Sequence, residues 1–402
     1  MRNNSFHIVF VNVGGTRFSI NSEDWLAKVL NHVALKGYEI TVIEWKHTAH
    51  EKVRENLSQI KVMRVGLFGL NYQDIQGSLT LRRIFEPIWS LVGCIYCVRL
   101  NPDSILTMSD FVCLWLSILF PHLRKRTIMY SGGFYSPNFG TFLTRLRMVL
   151  DIHIGRQIKL TVAENHIQSL WLTKNGFPEG KLRLLEPAID VGFWAPSNTF
   201  SSILPRKHEK VVLFHGRVVR RKGIHDMIEA AYILINGYKR SDIQFFIVGP
   251  PAEGTIPTQD ELSYISRLQD MILEYKLTRN VHILLGWWDV VTVKKFYDIC
   301  DIYVLPTLLD MAPHSIKQAL AMGKPVVSTK VGWISDLVIN GVNGYLVDPG
   351  TPQELAQSLA TLLDDDKLRM KICQNNRLIA IRRWNINEFL TRWEDILSLR
   401  QL

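Results

Sequence analysis

The chain has 402 residues, 47% of them apolar and 21% charged, with five cysteines and a formal charge of +10. These values exclude a disordered chain, a fibrous repeat and a small disulfide-stapled domain, and a chain of this length asks for more than one core. The charge is uneven: residues 1–200 hold 22 Lys+Arg against 15 Asp+Glu, and residues 201–402 hold 25 against 22, so the first half either suits an anionic surface or substrate or carries a solubilising basic surface.

The opening stretch MRNNSFHIVFVNVGG runs straight into a strand pattern, with no leader and no small-residue cleavage site. Without a leader the sequons at Asn3 and Asn56 carry no meaning, and the odd cysteine count reads as a reducing, cytoplasmic setting. A strand over 7–13 leads into Gly14-Gly15. A helix follows over about 22–36, capped by Ser22 and stopped at Gly37, and then a strand over 38–45. This succession is the first unit of a parallel α/β sheet, and 60–68, 104–109, 126–133 and 158–165 read as further strands.

Cys94 and Cys97 form a CxxC inside the apolar run IWSLVGCIYCV; with no second pair and no nearby His they read as core cysteines. The run SDFVCLWLSILFPHLRKR (109–126) is too short to span a bilayer. It reads either as a buried helix leading to a surface turn or as an interfacial segment. In the second reading Arg124, Lys125 and Arg126 meet anionic lipid, with Arg145, Arg147, Arg156 and Lys159 adding to the basic face. No nucleic-acid recognition motif accompanies this charge, so no nucleic-acid partner is expected.

The stretch 194–210, WAPSNTFSSILPRKHEK, breaks the pattern and reads as a linker. Beyond it a doubly wound domain restarts. Strands are predicted at 210–216, 241–250, 280–286, 301–307 and 324–329, and amphipathic helices at 223–235, 258–276, 291–300 and 315–322. Helices near 352–363, 367–382 and 387–400 complete the chain.

Ligands of such sheets bind beyond the carboxyl ends of the strands, so the candidate residues are sought there. In HGRVVRRKG (215–223), Gly216 makes the turn, and Arg217 and Lys222 offer two cations suited to a pyrophosphate. Gly249, in IVGPPAEG, ends the next strand, and Gly286, in LLGWWDVV, would let a base or ribose approach closely. Trp287 and Trp288 read as core or interface residues, or as a stacking surface. In DMAPHSIKQALAMGKPVVS (310–328) a helix starts near Ser315, and its free amides and dipole make an anion site. Asp310 precedes that site, Pro313 turns into it, and Gln318 lies about one turn inside on the face that could reach a ribose.

Taken in order, GRVVRRKGIHDMIEAAYIL, Asp310-x7-Gln318, and ALAMGKPVVSTKVGWISDLVINGVNGYLVDPG resemble glycosyltransferase family 4, as do residues 171–190 and 298–307. The resemblance runs through about 160–385 and holds only in outline before that. It implies the GT-B fold: two Rossmann-like doubly wound domains facing each other across a cleft. Residues 1–193, with a C-terminal helix from about 385, would bind the acceptor, and 194–384 the donor.

The family's activity would be retaining, metal-independent transfer from a nucleotide-diphosphate sugar, UDP or GDP first, to a glycan or lipid-linked acceptor. No further cofactor is implied, and no Asp-x-Asp metal motif is expected. Arg217 and Lys222 would hold the diphosphate, Asp310 the sugar hydroxyls, and Gln318 the ribose. Amides near His314, Ser315 and Ile316 would cap the distal phosphate.

Three departures stand out. Gln318 replaces an acid, so weaker donor binding is expected. Ser131-Gly132-Gly133, expected with Gly14-Gly15 to line the cleft, stands where the family often has a His. Glu186-Pro187-Ala188 replaces its usual Asn-Gly. The rivals are a catalytically weak GT-B partner subunit or chaperone, and a nucleotide-sugar epimerase or phosphorylase. The basic first half adds a possible place on the inner face of the cell membrane.

Overall fold

The structure, a computed structural model, describes residues 6–12, 25–46, 54–57, 59–65, 79–131, 152–197, 209–252, 257–310 and 313–398. The chain divides into two compact units, residues 1–187 with 387–402, and residues 188–386.

The first unit is built on strands β1 (His7–Asn12), β2 (Glu39–Trp45), β3 (Arg54–Leu57), β4 (Ile60–Val65), β5 (Ser104–Thr107), β6 (Thr127–Ser131), β7 (Leu160–Ala163) and β8 (Leu182–Leu184). They form one sheet in the order β3-β4-β2-β1-β5-β6-β7-β8. Every neighbouring pair is parallel except β3–β4. Helices α1 (Trp25–Leu35), α2 (Leu79–Leu100), α3 (Asp110–Ile118), α4 (Pro121–Arg124) and α5 (His166–Lys174) accompany it.

Strand β1 buries Ile8, Val9, Phe10 and Val11 in succession, the continuous apolar run of a strand covered on both faces. Cys94 and Cys97, on α2, lie fully buried in the core with Trp89, which stacks on Trp45 at 5.8 Å. Burial pushes both thiols up, Cys97 to about 12, so these are inert packing cysteines. In the segment 109–126, α3 buries Val112, Cys113 and Leu116, as a core helix does, while Ile118 and Leu119 remain 61% and 48% exposed.

The second unit holds β9 (Lys210–His215), β10 (Ile243–Gly249), β11 (Val281–Leu285), β12 (Ile302–Leu305), β13 (Val326–Thr329) and β14 (Gly344–Val347), all parallel, in the order β11-β10-β9-β12-β13-β14. Its helices are α6 (Ile224–Tyr232), α7 (Gln259–Glu274), α8 (Val290–Ile299), α9 (His314–Ala321), α10 (Ile334–Leu337), α11 (Pro352–Asp364) and α12 (Asp366–Arg383). The chain leaves β9 toward β11 and returns to lay β12 on the other side of β9. The strand order therefore reverses between β9 and β12, the switch point at which such sheets open a crevice.

The last helix, α13 (Ile386–Leu397), belongs from Asn387 onward to the first unit. There Trp393 stacks on Trp25 at 5.4 Å, and Glu394 meets His32 at 3.3 Å. The segment expected as a linker begins inside the second unit, where Ser197 N–H and Oγ–H both donate to the Asp298 carboxylate at 2.8 Å. The Ser22 cap, Arg145 and Arg147 fall outside the described residues.

Candidate active site

Three neighbouring strands of the second unit end at glycines that are latched to one another. Gly216 N–H donates to Val248 O at 3.0 Å, and Gly286 N–H donates to Gly249 O at 3.0 Å. A Cβ on Gly249 would lie 1.9 Å from the Gly216 carbonyl oxygen, so this close approach of backbones needs glycine.

On the other side of the switch point, the loop after β9 is laced to the loop after β12. Arg221 O accepts from Leu308 N–H at 2.8 Å and from the Thr307 hydroxyl at 3.0 Å, and Arg221 Nη1 donates to Leu309 O at 3.3 Å. The lacing brings Lys222 Nζ into a hydrogen-bonded ion pair with Asp310 Oδ2. Their side chains are only 11% and 12% exposed, so the pair is screened much less than a surface ion pair. These two residues, 88 positions apart in the chain, are partners in space.

Helix α9 starts beside them. Its N-cap, Pro313, supplies no side-chain bond, as a proline cannot. Of the three expected amides, that of Ile316 turns back to Pro313 O at 3.2 Å. Beneath the helix runs an aromatic relay. Tyr303 OH donates to His215 O at 3.1 Å. Tyr297 OH lies 3.1 Å from Ser315 O, 3.3 Å from Gln318 Oε1 and 3.2 Å from His215 Nδ1. Burial, with the Lys222 charge second, holds His215 down to about 4, so its ring is neutral at neutral pH. Gln318 presents its carbonyl to Tyr297, which leaves its amide N–H groups as the donors for a ligand.

Gly216, Arg217, Lys222, Gly249, Gly286, Asp310, Pro313, His314, Ser315, Ile316 and Gln318 thus share the carboxyl edge of one sheet, Arg217 at its exposed rim. Trp287 and Trp288 stand on the same edge, 66% and 42% exposed, rather than in the core. Ser131 ends β6 in the first unit. It is buried, and its Oγ and carbonyl accept from Gln168 Nε2 at 2.9 and 2.6 Å. Gly14, Gly15, Gly132 and Gly133 lie outside the described residues.

The sequence reading passed over His215, Tyr297 and Tyr303. His215 was the findable one, being the last strand residue before Gly216. Asp364-Asp365-Asp366 has the Asp-x-Asp spacing that is not expected from the resemblance. Asp364 pairs with Arg240, Asp366 with Lys210 and Arg369, and Asp365 caps α12 through Leu368 N–H at 2.9 Å. Among the described residues no group of three or more His, Cys, Asp or Glu is arranged to hold a metal ion.

Residues 197–378 match the family described as glycosyl transferases group 1. The capsular polysaccharide biosynthesis glycosyltransferase CapM of Staphylococcus aureus is 29% identical over 190 residues, which cover 47% of this chain and 45% of CapM. The chain spans about half the length of the curated relatives it matches. Among solved structures, sucrose-phosphate synthase from Thermosynechococcus elongatus aligns with a TM-score of 0.77 at 17% identity, over 98% of both chains. Anabaena HepE, solved in complex with UDP, gives a TM-score of 0.74 at 19% identity and covers 98% of this chain and 100% of its own. The fold is GT-B.

Proposed function

We propose that the chain is a retaining glycosyltransferase that moves a sugar from a nucleotide-diphosphate sugar to an acceptor hydroxyl, in glycan, glycolipid or polysaccharide assembly. The observation that carries this reading is the Lys222–Asp310 pair held at the switch point beside the start of α9. A lysine ammonium has three donors; one meets Asp310, and the others can meet phosphate oxygens. Asp310 keeps a second oxygen for a sugar hydroxyl. Arg217 and the first turn of α9 complete the positive surroundings of the diphosphate.

In the reaction the bond from the anomeric carbon to the diphosphate oxygen breaks, and charge builds on the departing diphosphate. Lys222, Arg217 and the helix start stabilise that charge as it forms. The acceptor hydroxyl attacks the same face and gives its proton to the departing phosphate oxygen, so no general base is assigned. The UDP complex of HepE makes UDP the first nucleotide to try, with GDP next.

The test is incubation with UDP-glucose and GDP-mannose over a panel of glycan and lipid-linked acceptors, reading nucleotide release and the anomeric configuration of the product by NMR. Release with the donor's configuration kept supports the reading; an inverted product contradicts retention. A second reading, a catalytically weak partner subunit, is favoured by Gln318 standing where the family pattern has an acid. Donor turnover by the isolated chain would exclude it.

A further inference from the structure

The loops that precede three adjacent strands of the first unit carry an unusual concentration of one charge. Arg124 and Lys125 lie just before β6, Arg156 and Lys159 just before β7, and Lys181 and Arg183 at the start of β8. Because β6, β7 and β8 are parallel neighbours, these loops fall side by side, and the six side chains line one cavity of about 660 Å³. No carboxylate is among its lining residues. The cavity sits at the amino ends of the strands, the opposite edge of the sheet from Ser131 at the carboxyl end of β6.

The bonds that hold these cations go to neutral acceptors. Arg124 Nη1 donates to Gln157 Oε1 at 3.0 Å, and Arg156 Nη2 to Gly176 O at 2.7 Å. Lys181 Nζ donates to Arg156 O at 2.6 Å and to Ile158 O at 3.0 Å, and Arg183 Nη1 to Leu182 O at 3.0 Å. Among the described residues none of the six is in an ion pair with an acid. The crowding is felt: burial, then the charges of Arg124, Lys159 and Lys125, pushes the Lys181 ammonium below its ordinary range. Six cations, four of them oriented by carbonyls and an amide and none of them paired with an acid among the described residues, form a preorganised receptor for an anion that carries more than one charge.

The chain around the cavity says what carries that anion. Ile118, the last residue of α3, and Leu119, its C-cap, are 61% and 48% exposed and are followed by α4, which leads into Arg124 and Lys125. Apolar side chains standing beside a dense cationic site suit the boundary between headgroups and acyl chains. We propose that this cavity binds the phosphate groups of anionic phospholipid headgroups and docks the first unit on a bilayer surface, with Ile118 and Leu119 entering its apolar edge. Among the described residues no helix is long and apolar enough to cross a membrane. The inference stands apart from the transferase reading, since it uses none of the residues of the second unit.

The experiment is co-sedimentation of the full chain with phosphatidylcholine vesicles, alone or with phosphatidylglycerol or a phosphatidylinositol phosphate. The variants are Arg124→Gln/Lys181→Gln/Arg183→Gln, the apolar variant Ile118→Ser/Leu119→Ser, and a charge-matched control, Lys239→Gln/Lys276→Gln/Lys367→Gln. Thermal melting checks that each is folded.

The expected result is binding to anionic vesicles only, weakened about a hundredfold by the cavity variant, since each cation near such a surface is worth roughly fivefold. The apolar variant weakens it several-fold, and the control leaves it within about twofold. Equal loss in the control would overturn the proposal, because attraction would then follow net charge. So would an absence of vesicle binding. Cavity-dependent binding of inositol hexakisphosphate without any vesicle binding would move the source from a lipid headgroup to a soluble phosphate, and would overturn the bilayer assignment.

Discussion

Gly223 offers the sharpest test of how the candidate site is held. It caps the start of α6 with φ at +66°, and a Cβ there would lie 1.8 Å from the Pro306 carbonyl oxygen and 2.9 Å from its carbon. Both are backbone atoms, so neither can swing aside without moving the 306–310 loop. Gly223→Ala therefore carries two penalties. The left-handed conformation costs an alanine about 1–2 kcal/mol. Forcing a methyl group into occupied space adds about 1–3 kcal/mol.

Gly350 separates the two terms. Its φ is +75°, yet a Cβ there meets nothing within 4 Å, so Gly350→Ala carries the conformational penalty alone. Thermal unfolding should place the Gly223 variant below the Gly350 variant by roughly 2–12 °C, from about 1–3 kcal/mol of overpacking at about 2–4 °C per kcal/mol for a domain of this size. Nucleotide binding should weaken in the first and not in the second, because the bonds from Arg221 to the loop at 307–309 carry Lys222 to Asp310. Equal loss in the two variants would refute the claim that the loops at 220–222 and 306–310 are locked by contact.

Three further outcomes follow from the same geometry. Gln318→Glu should tighten UDP binding about five- to tenfold in calorimetry, since a carboxylate gives a ribose diol a charge-assisted acceptor. Lys317 is 1% exposed, with its ammonium 4.7 Å from the Trp333 ring and 5.7 Å from the Trp384 ring. Lys317→Ala should cost about 2–4 kcal/mol in denaturant unfolding, through the lost cation–π contacts and the space left behind. The third concerns acid. His215 is held to about 4 against its ordinary 6.5, so the unfolded chain takes up its proton first as pH falls. The stability owed to its neutral ring is whole above about pH 6.5 and is lost on the way down to about pH 4. His215→Asn should flatten the stability–pH curve in that window.

Much of the second unit could be read from the sequence, because its strands are short β-branched runs, three of which run into glycine. KVVLFHG and DIQFFIVGP announce both the strand and the loop where a ligand would sit. Strands β3, β8 and β14 went unread: RENL and LRL are short and charged, and GYLV opens on the residue that usually ends a strand. Helix α2 was hidden by Pro87 and by an apolar face too broad to show a period. Pairings distant in sequence were the larger loss. Arg217, Lys222 and Asp310 were legible as candidates, but the ion pair between Lys222 and Asp310 depends on which strands lie side by side. The basic cavity shows the same limit. Arg124, Lys125, Arg156 and Lys159 were noticed as charge, whereas Lys181 and Arg183 join them only through the order β6-β7-β8.

The proposed function requires the second unit to hold a nucleotide diphosphate at the Lys222–Asp310 pair. Titration calorimetry of the full chain with UDP and GDP tests it, with Lys222→Met as the comparison. One nucleotide is expected to bind, and Lys222→Met to weaken it at least tenfold, the loss expected on removing a charge-assisted phosphate contact worth about 1.5–3 kcal/mol. Binding undiminished in that variant would place the diphosphate elsewhere, and no binding of either nucleotide at millimolar concentration would rule out a donor site at this pair.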